Sequence, residues 1–253
     1  MAYGCANAGA ARLAAVVAVL LASPAIADDE EAEERSPWSS VLFGSLEAGP
    51  TKGFVSAGMK TALWSGLSSS GFRTMLKIGG AQEQARRQRP RGIAYKSEAQ
   101  ALIGYEWRIG DTFLSLYAGS DYEGEQREEP RGTVTTGRYG ARLHGDLWMT
   151  PSEGTMLQAS AYASTLDGRL WGRVAAGWLL PRAFRLASFQ SDGAHIGPEI
   201  EAYRSHDYHK LRFGLHLTGL RLFGLTWRLS GGIQKTSDRP ADAYAMLGLH
   251  WQR

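Results

Sequence analysis

Apolar and polar residues alternate along most of this chain with a period of two, most clearly over 95–108. One face of this stretch would carry the mainly apolar set Tyr95, Ser97, Ala99, Ala101, Ile103, Tyr105 and Trp107. The other face would carry Lys96, Glu98, Gln100, Leu102, Gly104, Glu106 and Arg108. Successive side chains of a β-strand point to opposite sides, so the pattern predicts one strand. It is longer than the roughly five or six residues of a typical strand in a soluble protein.

Twelve such segments can be followed along the chain. They lie near 39–49, 53–64, 71–80, 93–108, 112–123, 133–149, 155–164, 169–179, 194–204, 209–219, 224–235 and 242–252. An even number of strands of about ten or more residues, each with an apolar and a polar face, is typical of a transmembrane β-barrel. We therefore predict an all-β fold, an antiparallel up-and-down transmembrane barrel of about twelve strands over 38–253.

The connections between these segments suggest a topology. Short hairpin signals stand at Gly110-Asp111, 151–154 and Asp167-Gly168. With both chain ends in the periplasm, every other connection faces outside and should be longer, as 81–92 and 124–132 are. Their arginines suit either lipopolysaccharide phosphates or water. The segment 180–193 is long yet falls on the periplasmic side, so either it folds as a short helix or the strand count is wrong there.

A soluble β-sandwich is the main alternative to the barrel. It would turn its apolar faces inward and use shorter strands. Tryptophans near predicted strand ends favour the barrel, because membrane barrels carry aromatic residues at both interfaces. These tryptophans are Trp38, Trp64, Trp107, Trp148, Trp178 and Trp251.

The first 27 residues have the order of a secretory signal peptide. Arg12 precedes the apolar run 13–21, and residues 25–27 form an A-x-A cleavage site. The run is too short to stay in a membrane as a spanning helix, which needs about 20 residues. We expect cleavage after Ala27 and an acidic, disordered N-terminal tail at 28–37 of the mature protein.

Composition and charge exclude several classes of protein. The 253 residues are 43% hydrophobic and 21% charged, which is too apolar for a disordered chain. Without Arg12, 27 Lys and Arg stand against 25 Asp and Glu, so a nucleic-acid-binding protein is not expected. The single cysteine, Cys5, would leave with the signal peptide, and the mature chain then has no thiol for a disulfide, a metal or a nucleophile.

Sequence motifs of catalysis and of nucleotide or metal binding are absent. Barrel lipases pair a serine and a histidine on the lipid face, whereas the alternation puts His144 and His216 on the polar face. His206 and His209 flank Asp207 at a predicted outer turn, which is either a metal site or a solvated loop. We expect no catalytic residue, no cofactor and no metal, with a hydrolase kept as an alternative.

The polar faces define a lumen that collects charged and aromatic side chains. Aromatic rings can pack on sugar faces while acids and arginines meet sugar hydroxyls. The candidate contacts to a sugar chain are Tyr117, Trp148, Tyr162, Trp171, Arg173, Glu201 and Tyr203. Two interpretations stay open, because paired Arg and Glu side chains could equally close the interior.

Several strings in the chain resemble the cellulose biosynthesis protein BcsS family of alphaproteobacteria. The strings are Gly197–Tyr203, Leu211–Arg221, Leu229–Ile233 and Ala243–Trp251, with a thinner likeness over 139–154 and 169–180. The resemblance implies a non-catalytic accessory protein of cellulose production, located in the outer membrane of a Gram-negative bacterium. It implies the glucan as ligand, outer-membrane lipids as surroundings and other cellulose synthase components as partners. We expect a monomer that exports the glucan or anchors it at the surface, with a general solute channel as an alternative.

Overall fold

A computed structural model describes residues 39–64, 66–84, 93–129, 132–180 and 193–252 of the protein. Twelve antiparallel strands follow one another around a closed barrel, which confirms the predicted fold. The strands are β1 (Ser40–Gly49), β2 (Lys52–Ala62), β3 (Gly71–Gln84), β4 (Ile93–Ile109), β5 (Thr112–Glu129), β6 (Gly132–Ser152), β7 (Thr155–Ser164), β8 (Arg169–Leu179), β9 (His195–Ser205), β10 (Tyr208–Leu222), β11 (Leu225–Thr236) and β12 (Arg239–Gln252). Pairing of β1 with β12 closes the ring, so its sheet has no free edge.

The strand register keeps one set of side chains inside the barrel and the other set outside. Glu98 of β4, for example, pairs with Glu123 of β5, which pairs with Arg138 of β6, and all three face inward. Large apolar side chains are exposed on the outward face, among them Leu46, Leu76, Ile78, Ile103, Leu116, Leu143, Val174, Ile200, Leu215, Leu229 and Ile233. A soluble sandwich would bury such a face, whereas a membrane barrel presents it to lipid. Of the described residues, none belongs to a helix that is long and apolar enough to cross a membrane.

The two ends of the barrel differ. We call the end that carries residues 39 and 252 the terminal end, and the opposite one the hairpin end. Strands β5 and β6 stay paired as far as Glu129 and Gly132, whereas β6 pairs with β7 only as far as Arg142. The β5–β6 hairpin therefore projects beyond β7 at the hairpin end.

The prediction of a loop at 124–132 is wrong, because residues 124–129 continue β5 and pair with 132–137 of β6. Charged residues there indicated a loop, yet backbone pairing does not require apolar side chains, and the β-branched partners at 133–136 favour a strand. Strand β3 likewise runs to Gln84 and shortens the predicted loop at 81–92. The rest of that loop (85–92) lies outside the described residues, as do most of 180–193, the predicted signal peptide (1–27) and the tail at 28–37.

The predicted turn at Asp167-Gly168 is present between β7 and β8. A 3₁₀ turn covers Leu166–Gly168, with φ values of 53° at Asp167 and 57° at Gly168. Both values lie in the left-handed region, which glycine adopts freely and aspartate tolerates. This short turn fixes the hairpin-end rim between the two strands.

Outward-facing aromatic rings cluster at the terminal end. Tyr105 contacts Phe72 and Trp107, with ring centroids 5.1 and 5.0 Å away. Further exposed aromatic residues there are Trp64, Trp178 and Trp251. The arrangement fits an aromatic girdle at a membrane interface. Trp148 instead faces the interior, and Trp38 lies outside the described residues.

Two substitutions on the outward face of β4 test whether this face meets lipid. Ile103 and Ile109 are 55% and 69% exposed, but Ile109 ends the strand beyond Trp107, whereas Ile103 lies farther inside. Ile103→Arg should lower the free energy of unfolding by about 2–4 kcal/mol, and Ile109→Arg by about 0–1 kcal/mol, because the cost of a charge in lipid depends on depth. Urea unfolding of the barrel refolded in lipid vesicles measures both. Equal, small costs would contradict a lipid-facing surface.

Candidate functional site

The seven predicted sugar contacts all occupy inward-facing strand positions. Four of them share one row of cross-strand partners: Tyr117 pairs with His144, His144 with Tyr162, Tyr162 with Trp171, and Trp171 with Tyr203. Their contact with a glucan stays a prediction. The row shows, however, that side chains distant in sequence form one band along the lumen wall.

The other three candidates lie closer to the terminal end. Arg173 and Glu201 are cross-strand partners two residues from the aromatic row. Trp148 lies four residues from His144 along β6 and pairs with Phe113, near the start of β5. Trp148 therefore belongs to the terminal end of the lumen, far from Tyr203, which lies two residues from the hairpin end of β9.

Ring packing restricts which aromatic faces a ligand could reach. The rings of Tyr162 and Trp171 are stacked with centroids 5.5 Å apart, and the Arg142 guanidinium lies 3.8 Å from the Tyr162 centroid. Tyr117 is fully buried and packs with Met75 and Leu102. The rings of Tyr162 and Tyr117 are thus in contact with neighbouring side chains. Tyr203 near the hairpin end is half-buried, and its ring contacts the Tyr208 ring with the centroids 5.8 Å apart.

A cleft of about 700 Å³ opens at the hairpin-end rim, between the β7–β8 turn and the β9–β10 turn. Its lining combines carboxylates, an imidazole, a hydroxyl and an arginine, contributed by Asp167, Gly168, Leu170, Arg204, Ser205, His206 and Asp207. Such groups donate and accept hydrogen bonds with hydroxyl-rich ligands. Tyr203 precedes Arg204 of this lining but faces inward, whereas the strand residues of the cleft, Leu170 and Arg204, face outward.

Arg138 of the projecting hairpin fastens this rim. Its two terminal nitrogens donate to the Asp167 carboxylate at 2.5 and 2.8 Å, and a third bond reaches Glu123 at 3.0 Å. Arg169 pairs with the same Glu123. Hydrogen bonding from Arg138 lowers the pKa of Asp167 below its ordinary value. The paired, ionised form stabilises the rim at neutral pH, and this contribution is lost only as the pH falls through the lowered pKa.

Ion pairs also join strands that are not neighbours in the ring. Arg212 of β10 reaches Glu47 of β1, three strands away around the ring, at 3.1 Å. Arg169 of β8 reaches Glu123 of β5, again three strands away. Contacts between strands a quarter of the ring apart are chords that cut across part of the lumen. They favour the interpretation in which paired charges fill the interior.

The lumen contains a buried ion pair between Arg142 of β6 and Asp121 of β5. Arg142 donates to both oxygens of Asp121 at 3.1 and 2.9 Å, and Ser164 donates to Asp121 at 2.6 Å. Only 4% of the Arg142 side chain and 1% of the Asp121 side chain are exposed. A buried charge must be paired, so these residues depend on each other.

Several lumen residues were missing from the sequence-based set. Glu47 on β1, Lys60 on β2, Arg73 on β3 and Tyr244 on β12 all face inward and take part in these contacts. The alternation along their own strands could have identified them, since each stands beside an outward apolar or small residue. Partner choice could not be identified in this way, because it depends on side-chain reach across the barrel.

The histidines are bonded inside the lumen or exposed at the rim. His144 Nε2 lies 2.8 Å from Asp146 Oδ2. His216 Nδ1 lies 2.9 Å from the Thr218 hydroxyl, and its Nε2 lies 3.1 Å from the Ala176 carbonyl oxygen. Both therefore face inward, as the alternation predicts. In the described ranges, no group of three or more His, Cys, Asp or Glu side chains has a geometry that could hold a metal ion.

Substitution of Asp121 tests the importance of the buried pair. Asp121→Asn keeps the shape but leaves Arg142 as a buried charge without a carboxylate, and should lower the free energy of unfolding by about 3–5 kcal/mol. The control is Glu125→Gln, which removes the partner of the half-exposed Arg127. This change should cost about 0–1 kcal/mol. Denaturant unfolding measures the free energy of unfolding of both variants. Similar small losses in the two would contradict a stabilising role of the buried pair.

Comparisons with known proteins bear on both fold and family. A family model described as Cellulose biosynthesis protein BcsS matches residues 41–253, in agreement with the resemblance of the sequence strings. The translocator domain of the autotransporter NalP from Neisseria meningitidis superimposes with a TM-score of 0.54 at 12% identity, covering 97% of this chain and 95% of that one.

Two further barrels are similar at lower scores. The KdgM porin has a TM-score of 0.46 at 11% identity and covers 83% of this chain and 98% of its own. LpxR from Salmonella typhimurium has a TM-score of 0.47 at 12% identity, covering 83% of this chain and 99% of its own. No curated protein sequence matches this chain significantly. At such identities structural similarity establishes the fold alone, a barrel of the outer-membrane type.

Proposed function

Because this chain belongs to the cellulose biosynthesis protein BcsS family, we propose that it assists cellulose production by holding the glucan at the surface end of an outer-membrane barrel. The protein acts after polymerisation and catalyses nothing. The observation that carries this proposal is the contrast between a lumen crossed by ion pairs and an open cleft at the hairpin-end rim.

An outer-membrane location is supported by the closed ring of long strands and by its exposed apolar face. The signal peptide at 1–27 exports the chain, and the acidic tail at 28–37 stays in the periplasm. The hairpin end then faces outside, because membrane barrels carry their larger extensions on the cell surface and their shorter turns in the periplasm. The protein is a monomer whose periplasmic rim meets other components of the cellulose synthase complex.

The interior of the barrel agrees better with a glucan anchored at the rim than with a glucan that passes through the lumen. A glucan that moved through the lumen would have to displace the chords from Arg212 to Glu47 and from Arg169 to Glu123. Breaking a buried ion pair is costly, and the buried Arg142–Asp121 pair would be affected as well. A glucan held at the rim leaves the Arg212–Glu47 and Arg142–Asp121 pairs intact.

The rim has groups suited to a neutral sugar chain. Tyr203 offers an aromatic ring and a hydroxyl on the inner side of the rim, and the turn at its outer side offers the Asp207 carboxylate and the His206 imidazole. A glucan presents C–H faces to the ring and hydroxyl edges to the polar groups. Trp171 contributes the exposed edge of the aromatic row, while Tyr162 and Tyr117 support it from below.

Binding of cellohexaose to the refolded barrel tests the proposal. Tyr203→Ala should weaken binding several-fold, since an aromatic contact contributes about 0.5–1.5 kcal/mol. Tyr203→Phe, which keeps the ring, separates the ring contribution from that of the hydroxyl. The matched control is Trp148→Ala, an inward aromatic residue at the terminal end, and it should bind as the wild type does. Isothermal titration calorimetry measures all four proteins.

Cells that carry these variants distinguish anchoring from export. With Tyr203→Ala, total glucan should stay unchanged while cellulose moves from the cell surface into the medium. An export path through the lumen would instead lower the glucan outside the cell in both variants. A rim site would be contradicted if Trp148→Ala lost oligosaccharide binding to the same extent as Tyr203→Ala. It would also be contradicted if the wild type did not bind cellohexaose.

A further inference from the structure

Arg173 is an inward-facing arginine that forms no ion pair within 4 Å in the described part of the chain, although the Glu199 carboxylate lies near enough to interact with its charge. Its cross-strand neighbour Glu201 instead pairs with Arg212 at 3.1 Å and with Lys210 at 3.0 Å. The Arg173 guanidinium lies over the ring of Trp171, 5.8 Å from the ring centroid. A half-buried guanidinium therefore remains available to a ligand inside the lumen.

A second guanidinium reaches the same region from another wall. Arg228 of β11 donates to the Gln158 side-chain oxygen on β7 at 2.5 Å, four strands away around the ring. Gln158 is the diagonal neighbour of Arg173, because Ser160, two residues along β7, is the cross-strand partner of Arg173. Diagonal neighbours in a sheet have Cα atoms roughly 7–8 Å apart. Two arginines thus share one part of the lumen.

The acceptors nearby are already used. Glu199 Oε2 accepts from Arg228 at 2.6 Å, and its Oε1 accepts from the Tyr244 hydroxyl at 3.0 Å. Arg228 Nε has no hydrogen-bond partner, although only 6% of the Arg228 side chain is exposed. Arg228 Nε and the guanidinium of Arg173 are therefore N–H donors to which no acceptor is hydrogen-bonded. A buried donor without an acceptor is costly, and an oxyanion would satisfy it.

We infer that Arg173 and Arg228 form a binding site for a small oxyanion, a phosphate or carboxylate group, inside the lumen. A guanidinium presents its N–H groups as a planar fork that fits two oxygens of such an anion at once. The indole of Trp171 beside Arg173 can contact a sugar that carries the anion. The two arginines take no part in the rim site, since they lie on the terminal-end side of the aromatic row, although Trp171 borders both sites.

Titration of the refolded, full-length mature barrel with inorganic phosphate at constant ionic strength tests this inference. The wild type should bind phosphate saturably, and Arg173→Gln should weaken binding at least about tenfold. Arg173→Lys keeps the charge without the fork and should give an intermediate affinity. The control Arg127→Gln removes a cation from the projecting hairpin and should bind as the wild type does.

Two further ligands identify the source of the anion. If glucose 6-phosphate binds more tightly than phosphate, and Trp171→Ala removes the difference, the ligand is an anionic sugar. Equal affinities would identify the free anion. Absence of saturable phosphate binding by the wild type, or Arg173→Gln binding as tightly as the wild type, would overturn the site. Cellohexaose binding by Arg173→Gln should stay normal, so failure here is distinct from failure of the rim proposal.

Discussion

Closure of the barrel imposes one constraint on which the rest of this structure depends: every second side chain must share a single interior. Closure removes the free strand edges that lipid could not hydrogen-bond, and it lets the outward set be apolar. The inward set then carries the charges, which cannot be left unpaired away from water. Arg212 with Glu47, Arg142 with Asp121 and Arg228 with Glu199 meet this requirement.

Pairing across the interior makes the two ends of the protein different. The chords lie toward the hairpin end, since Glu47 is two residues from the end of β1 and Arg169 is the first residue of β8. At the hairpin end the strands β5 and β6 project, and Arg138 ties them to Asp167 of the neighbouring turn. Tyr203 near this rim can meet a ligand without the breaking of an ion pair, which is why we favour anchoring over passage.

Most of the fold could be predicted from the sequence, because the period of two is a local property of each strand. The faces of β4 and the Asp167-Gly168 turn follow directly from neighbouring residues. The site was predicted less well. Alternation gives the side of the sheet but not the height along the barrel axis, so it could not separate Trp148 from the row that contains Tyr162. Nor could it show that Glu201 pairs with Arg212 instead of Arg173, since register and side-chain reach decide this.

The central claim is that paired side chains close the lumen, and conductance of the barrel in a planar lipid bilayer tests it most directly. On this account single refolded barrels should show no steady ion current at neutral pH, because paired side chains that fill the interior would obstruct an aqueous path. A steady current that cello-oligosaccharides block would contradict the claim and indicate a sugar path through the lumen.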